Sequence, residues 1–275
     1  MKMKGAIVFA AGVSHAPHIT GFPDHAPVES KLRFYAAMNE VGARLRAARP
    51  DVVVVVSSDH FHNLFTDRMP AFCVGMAAEH QGPAERWIRI EPFSVKGAPS
   101  FARAVMQHAF RLGMDPAFSD HVVLEHGLAV PLSFLTPEFD YPVLPILQNC
   151  MVPPLPPLHR CYAFGQVLRA AAEAQGLRVA VVGTGGLSHA PGSPDAGRID
   201  IEFDRAFLEM LRTRPMDVLG LTDERIDAAG FGTWEIRQWV TALGAAGGGK
   251  AEVLAYEPVE AWETGCGAVV FSLEH

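Results

Sequence analysis

The sequence predicts an α/β fold: a single domain spanning residues 1–275, with a central, mostly parallel or mixed β-sheet flanked by helices. Three observations carry that expectation. Five consecutive valines at residues 52–56 form the strongest β-branched run in the chain and read as a strand buried on both faces. Strand-like apolar runs alternate with segments of helical composition from one end to the other. Several of the predicted strands end in histidine, serine and glycine, and in an open α/β sheet ligands bind just outside the carboxyl ends of the strands.

Taken in order, residues 6–13 read as the first strand, running into Ser14-His15-Ala16-Pro17-His18. Lys2, Lys4 and the apolar run after them are too brief for a signal peptide. Residues 29–48 have helical composition, with Leu32, Tyr35, Ala36, Met38 and Leu45 facing inward. Pro50 and Asp51 end that helix and start the valine strand. Residues 70–74 form a further strand, and residues 77–99 are loop-rich, punctuated by Pro83, Pro92 and Pro99. Ser100 caps a helix over residues 100–112. Residues 141–147 are a buried strand, 153–157 a stiff proline segment, and 159–175 a helix closed by Gly176. A strand at 178–182 leads into Gly183-Thr-Gly-Gly-Leu-Ser-His189. Residues 199–219 are helical with an acidic face of Asp200, Glu202, Asp204 and Glu209. Thr233 caps a helix over 233–243, and strands at 251–256 and 267–271 close the chain.

Composition removes several function classes. Apolar residues make up 49% and charged residues 19%, enough for a sizeable core and against general disorder. A formal net charge of −7, with no Lys/Arg cluster, argues against a nucleic-acid surface. The longest apolar runs fall well short of the ~20 residues of a membrane helix. Cys73, Cys150, Cys161 and Cys266 form neither a CxxC pair nor a zinc spacing and read as reduced, packed thiols of a cytoplasmic protein.

Histidine is the unusual component. Candidates for an imidazole–carboxylate metal site are His15, His18, His60, His62, His126 and His189, with Asp59 and Glu235. Glu235 lies one helical turn from Trp239 on a largely apolar segment and reads as half buried. A buried carboxylate needs a partner or it neutralises, and a metal would serve. The alternative is a surface glutamate paired with Arg237 or another cation. Two histidines with one carboxylate suit Zn(II) or Fe(II), and no HExxH helix favours zinc. Gly12-Val-Ser-His-Ala-Pro17 and Gly186-Leu-Ser-His-Ala-Pro191 repeat with one aliphatic exchange, each after a strand, which points to a shared pocket. Both resemble a serine nucleophile elbow, but a proline follows where its helix would start, and no oxyanion segment is present. Gly183-Thr-Gly185-Gly-Leu-Ser188 departs from the dinucleotide fingerprint at its last position. His25, His80, His108, His121, His159 and His275 read as ordinary surface or loop residues.

Four ordered pieces resemble the class III extradiol ring-cleavage dioxygenase family, typified by the catalytic subunit of protocatechuate 4,5-dioxygenase. They are Ser14-His15-Ala-Pro, Ser58-Asp59-His60 after the valine strand, Glu125-His126-Gly127-Leu-Ala-Val-Pro131-Leu132, and Gly183-Thr-Gly-Gly-Leu-Ser-His189. Gly-x-x-x-Glu235-x-x-x-Trp239 stands at the expected late position. The resemblance implies an Fe(II) site with His15, His60 and Glu235 as ligands, His189 as acid/base, and His126 as its partner near substrate and oxygen. It implies a catechol-type substrate (a dihydroxy- or aminophenol aromatic) cleaved with O2 to a ring-opened semialdehyde. It also implies a homo-oligomer or a complex with a small helper subunit. Because every matched position is kept, the active subunit is expected. Relatives often carry Asp where this chain has Glu125, which leaves the role of that position open. On this reading His62 is a pocket-wall residue or one that supports the site from behind, and Asp59 orients and balances charge around the site. The chemistry fits the residue types: a neutral imidazole beside the metal can take a phenol proton and return it. A zinc hydrolase with the same His/His/Glu set, and a non-catalytic partner subunit, are the competing readings.

Overall fold

Ten strands are present in the structure, a computed structural model that describes residues 5–274. They are β1 (Ala6–Val13), β2 (Val52–Ser57), β3 (Phe72–Gly75), β4 (Glu79–Gly82), β5 (Phe93–Lys96), β6 (Ala117–Ser119), β7 (Val143–Gln148), β8 (Arg178–Thr184), β9 (Ala251–Val259) and β10 (Thr264–Phe271). Eight of them form one mixed sheet in the order β6-β3-β7-β2-β8-β1-β10-β9, and β4 pairs with β5 apart from it. The middle of the sheet, β7-β2-β8-β1, is parallel, while β3 against β7 and β10 against β1 and β9 are antiparallel.

The valine run forms β2, and all of its residues are buried. Successive side chains of a strand point to opposite faces, so Val52, Val54 and Val56 enter one apolar cluster and Val53 and Val55 the other. The first cluster is closed by the helices Pro99–Arg111, Leu158–Gln175, Ile201–Thr213 and Ile236–Ala246, through Phe101, Phe164, Phe207 and Trp239. The second is closed by Val28–Ala47 and His126–Leu135, through Phe34, Met38 and Leu128. Burial of each valine contributes roughly 1.5–3 kcal/mol. The α/β class and the helix-flanked sheet thus follow from the pattern that predicted them.

Local phasing differs in places. The inward stripe of Val28–Ala47 is Phe34, Ala37, Met38, Val41, Gly42 and Leu45, leaving Leu32 and Ala36 exposed. The helix after residue 98 starts at Pro99, with no side-chain cap from Ser100, because proline is preformed for a first helical turn. The loop-rich stretch holds β4 and β5. Residues 199–219 divide into the helix Ile201–Thr213, capped by Asp200, and a 3-10 turn at Pro215–Gly220. Thr233 caps nothing: its hydroxyl donates to Ala229 O at 3.1 Å within a 3-10 turn, Phe231–Glu235, that precedes the helix Ile236–Ala246. All four cysteines are buried free thiols. No helix among the described residues is long and apolar enough to cross a membrane.

Candidate metal centre

Three adjacent parallel strands deliver the centre. β1 runs into Ser14 and His15, β2 into Ser58, Asp59 and His60, and β8 lies between them and ends at Thr184. From the side come His126, the first residue of the helix His126–Leu135, and Glu235, the last residue of the 3-10 turn. His15, Glu235 and Glu125 are almost completely buried, and His60 and His126 are only slightly open.

Hydrogen bonding fixes which nitrogen of each ring faces inward. Thr184 Oγ1 has one proton and donates it to Gly127 O at 2.9 Å, so toward His15 it accepts, from Nδ1–H at 3.0 Å. His60 Nδ1–H donates to Glu125 Oε2 at 2.9 Å. Both rings therefore turn an Nε2 lone pair to the centre. Those two atoms lie 3.1 and 3.2 Å from one oxygen of Glu235, its Oε1. Ser58 Oγ donates to the same oxygen at 2.8 Å, and Gly186 N donates to Oε2 at 2.8 Å. Two lone pairs and a carboxylate oxygen converging in a buried space repel one another unless a cation stands among them. The donor set therefore fits a divalent metal.

The electrostatics say the same in terms of protons. Burial opposes ionisation of Glu235, but His15 and His60 hold its carboxyl well below the usual range. Burial likewise opposes ionisation of Glu125, which His126 and His60 hold well below it. Burial opposes charge on His60 too, yet Glu125 and Glu235 keep its imidazole well above the ordinary value. A proton on His60 and a metal ion are alternative answers to the same pair of buried carboxylates.

Two further histidines face this centre. His189 Nδ1–H donates to Leu187 O at 2.8 Å, which leaves Nε2 free, 3.8 Å from Glu235 Oε2. Burial holds its pKa below the ordinary value. His126 Nδ1–H donates to Glu85 Oε1 at 2.6 Å, with Glu125 Oε2 also 2.9 Å from that nitrogen. Burial and the nearby His60 oppose charge on His126, but Glu125 and Glu85 raise its pKa. Its ring centroid is 4.0 Å from that of His60. A cavity of about 170 Å³ opens over these groups, lined by His15, His18, His60, His126, His189 and Trp262 among others.

Other sequence candidates lie elsewhere. Asp59 does not reach the centre; its carboxylate accepts from Asn63 N, Asn63 Nδ2 and Leu64 N and holds the loop after β2. The orienting role expected of Asp59 sits instead at Glu125, which also caps the His126–Leu135 helix by accepting from Gly127 N at 3.0 Å. His62 does not line the cavity; it is an exposed residue 3.7 Å from Glu85, the partner of His126, and so stands behind the site rather than on its wall. Glu235 has no pairing with Arg237, whose buried guanidinium binds Asp223 and Pro156 O. His80, expected at the surface or in a loop, is a buried residue of β4 bonded to Val122 O. His275 lies outside the described residues. Glu85 carried no sequence signal.

Fold and donor set together have the character of a metal-dependent α/β enzyme. The family described as the catalytic LigB subunit of aromatic ring-opening dioxygenase matches residues 9–267, and the chain belongs to that family of extradiol dioxygenases. It is similar to a 2,3-dihydroxyphenylpropionate/2,3-dihydroxicinnamic acid 1,2-dioxygenase from Cupriavidus necator, 31% identical over 92% of this chain and 94% of the relative. A protein of the same name from Paraburkholderia xenovorans is 30% identical over 94% of this chain and 95% of its own. Among solved structures, an uncharacterized protein from Escherichia coli K12 shares the fold, with a TM-score of 0.62 at 16% identity over 96% of this chain and 99% of that one.

Proposed function

We propose that the chain is a single catalytic unit that opens the ring of a catechol-type substrate with O2 to give a semialdehyde, using Fe(II) held by His15, His60 and Glu235. It acts in the cytoplasm as a homo-oligomer or with a small helper subunit. The observation that carries the reading is the convergence of two Nε2 lone pairs on one buried carboxylate oxygen, 3.1 and 3.2 Å away. The nitrogens of His15, His60 and His126 also lie within 4.8 Å of one another. His126 is assigned to the substrate side because Glu235 brings the negative charge that a divalent ion needs and already touches both other donors. The dihydroxylated rings in the relatives' names support the diol, with aminophenols as its near analogues.

Bound there, the metal would supply Lewis acidity toward the ring oxygens and an electron path to dioxygen. The chain's own residues do the rest. His189, neutral and with Nε2 open to the cavity, takes a proton from the ring hydroxyl that approaches it and later returns it. His126, backed by Glu85 and Glu125, presents a hydrogen-bonding edge on the wall beside His60. Ser58 and Gly186 N fix the two oxygens of Glu235. Ala16, Pro17, Pro191 and Trp262 line the cavity with apolar surface that keeps bulk water out.

The test is anaerobic reconstitution with Fe(II), then addition of a panel of catechols and aminophenols followed by oxygen. Oxygen uptake with a new visible absorbance from a semialdehyde is the expected result. Turnover of an ester or amide without oxygen would establish the zinc-hydrolase reading instead, and failure to bind any divalent metal would establish the non-catalytic one.

A further inference from the structure

The acidic face expected on the helix Ile201–Thr213 is interrupted by Asp204, which is fully buried. Its Oδ1 accepts from Ser188 N at 2.8 Å, and its Oδ2 accepts from Ser188 Oγ at 2.8 Å and from the Tyr256 hydroxyl at 2.7 Å. Ser188 Oγ in turn accepts from Asp200 N at 2.8 Å. The carboxylate occupies space that glycine leaves open at position 265, where a Cβ would overlap Oδ2. Gly265 also binds the loop through its backbone: Leu187 N donates to Gly265 O at 2.8 Å, and Gly265 N donates to Ser188 O at 3.1 Å. Asp204, Ser188, Tyr256 and Gly265 do not line the cavity.

What this network holds is the segment that carries His189. The ring of His189 is oriented by its own Nδ1–H bond to Leu187 O, and its carbonyl accepts from Gly232 N at 3.0 Å. The ring packs directly over Gly232, where a Cβ would overlap it, so one of its faces is closed off by backbone. Ser188 lies between the oriented ring and the residue that orients it, and Asp204 binds both its N–H and its hydroxyl.

We propose that Asp204 is a positioning residue: through Ser188 it fixes residues 187–189 so that the His189 imidazole stands toward Glu235 and the substrate. The inference rests on His189 being the acid/base of the proposed reaction. A buried acidic group with no contact to substrate or metal thereby sets the rate of proton transfer, without setting metal affinity.

Iron-reconstituted Asp204→Ala, Asp204→Asn, Ser188→Ala and His189→Phe proteins test this by oxygen uptake, with iron content and far-UV circular dichroism measured on each. Asp204→Ala is expected to lower kcat by ~10–100-fold, as loss of outer supporting groups does elsewhere, with iron content and KM within about twofold of wild type. Asp204→Asn keeps an acceptor for Ser188 N and turns its NH2 to two hydroxyls that can accept, so it recovers kcat to within about threefold. Ser188→Ala retains the N–H bond and loses the hydroxyl link, for an intermediate loss of ~3–10-fold. If Asp204→Ala does not fold, Ser188→Ala carries the test, and wild-type kcat there overturns the proposal. Iron lost in step with activity, or equal losses in the Ala and Asn variants, would mean general destabilisation and also overturn it. His189→Phe separates the two levels. If it is inactive while Asp204→Ala turns over normally, the positioning role is wrong and the role of His189 stands; if it turns over normally, the acid/base assignment itself fails.

Discussion

Glu125 is the most informative residue to perturb, because one carboxylate oxygen serves both the fold and the metal site. Its Oε2 accepts from His60 Nδ1 at 2.9 Å and from Gly127 N at 3.0 Å, and stands 2.9 Å from His126 Nδ1. Its Oε1 is buried without a partner. Glu125→Gln can keep the first three contacts, but must leave an amide NH2 unpaired at the Oε1 side, at a cost of about 1–3 kcal/mol. It also removes the negative charge behind His60. Loss of an orienting carboxylate typically weakens metal binding ~10–100-fold, or about 1.4–2.7 kcal/mol. Glu125→Ala loses the helix cap, about 1 kcal/mol, and leaves the His60 and Gly127 donors unpaired as well. Its metal affinity should fall by about 100-fold or more, the upper end of that range. The assay is competition between protein and a chelator of known affinity, with Fe(II) under anaerobic conditions and Zn(II) as an air-stable check. Affinity within twofold of wild type in both variants, despite lower thermal stability, would reduce Glu125 to a helix cap and refute its coupling to the metal site.

Other outcomes follow from the same geometry. His60→Ala should abolish stoichiometric iron binding, and a full complement of iron by metal analysis would refute its assignment as ligand. His189→Phe should retain iron and lose most ring cleavage. Because burial holds the His189 pKa below the ordinary 6.5, and the proposed base is its neutral form, the acid limb of kcat/KM should lie below that pH. A metal held by Glu235 would strengthen this direction by neutralising the nearby carboxylate charge, and a limb above pH 6.5 would count against the assignment. Burial pushes Asp204 up to about 6 from 3.8, despite the Tyr256 and Ser188 hydrogen bonds and with nearby Asp200 adding to the rise. A raised acid favours the fold at low pH, and that contribution is lost as pH rises through about 6. Asp204→Asn should therefore be more stable than wild type at pH 8, by up to about 3 kcal/mol, with the gap closing toward pH 4 in denaturant titrations.

The sequence carried the frame well because strand and helix periodicity is local. The valine run, the first strand and the 159–175 helix needed no tertiary information, and residues with metal or proton chemistry gather where such strands end. Glu85 shows where local reading stops. It lies in a stretch that reads as loop, and it reaches His126 only because Gln81 pairs with Val123 and Ala84 N binds Leu124 O, beside the His126 helix. Nothing within several residues of Glu85 encodes that contact. Asp204 is different, for a signal was present. Phe203, Phe207, Leu208 and Leu211 mark the buried stripe of its helix, and Asp204 falls within it at helical spacing. Glu235 was expected to be half buried and is almost completely buried, because the turn before its helix inserts it beneath the strand ends.

The repeated hexapeptides show how one local pattern yields two different placements of histidine against Glu235. Their strands, β1 and β8, are parallel neighbours with Gly12 opposite Gly183 and Val13 opposite Thr184. The repeat is not in register with that pairing: the first copy begins at Gly12, whereas the second begins at Gly186, three residues beyond Gly183. His15 therefore leaves β1 within two residues of the paired region, and its Nε2 lies 3.1 Å from Glu235 Oε1. His189 comes after a further turn, in which Gly186 N binds Glu235 Oε2, and its Nε2 stands 3.8 Å from that second oxygen. The serines divide in the same way: the Ser14 hydroxyl binds Gly186 O, bracing one copy against the other, while Ser188 turns away to Asp204. The three-residue offset sets His15 against one oxygen of Glu235 and turns His189 toward the other, the placement that the proposed division into ligand and acid/base requires.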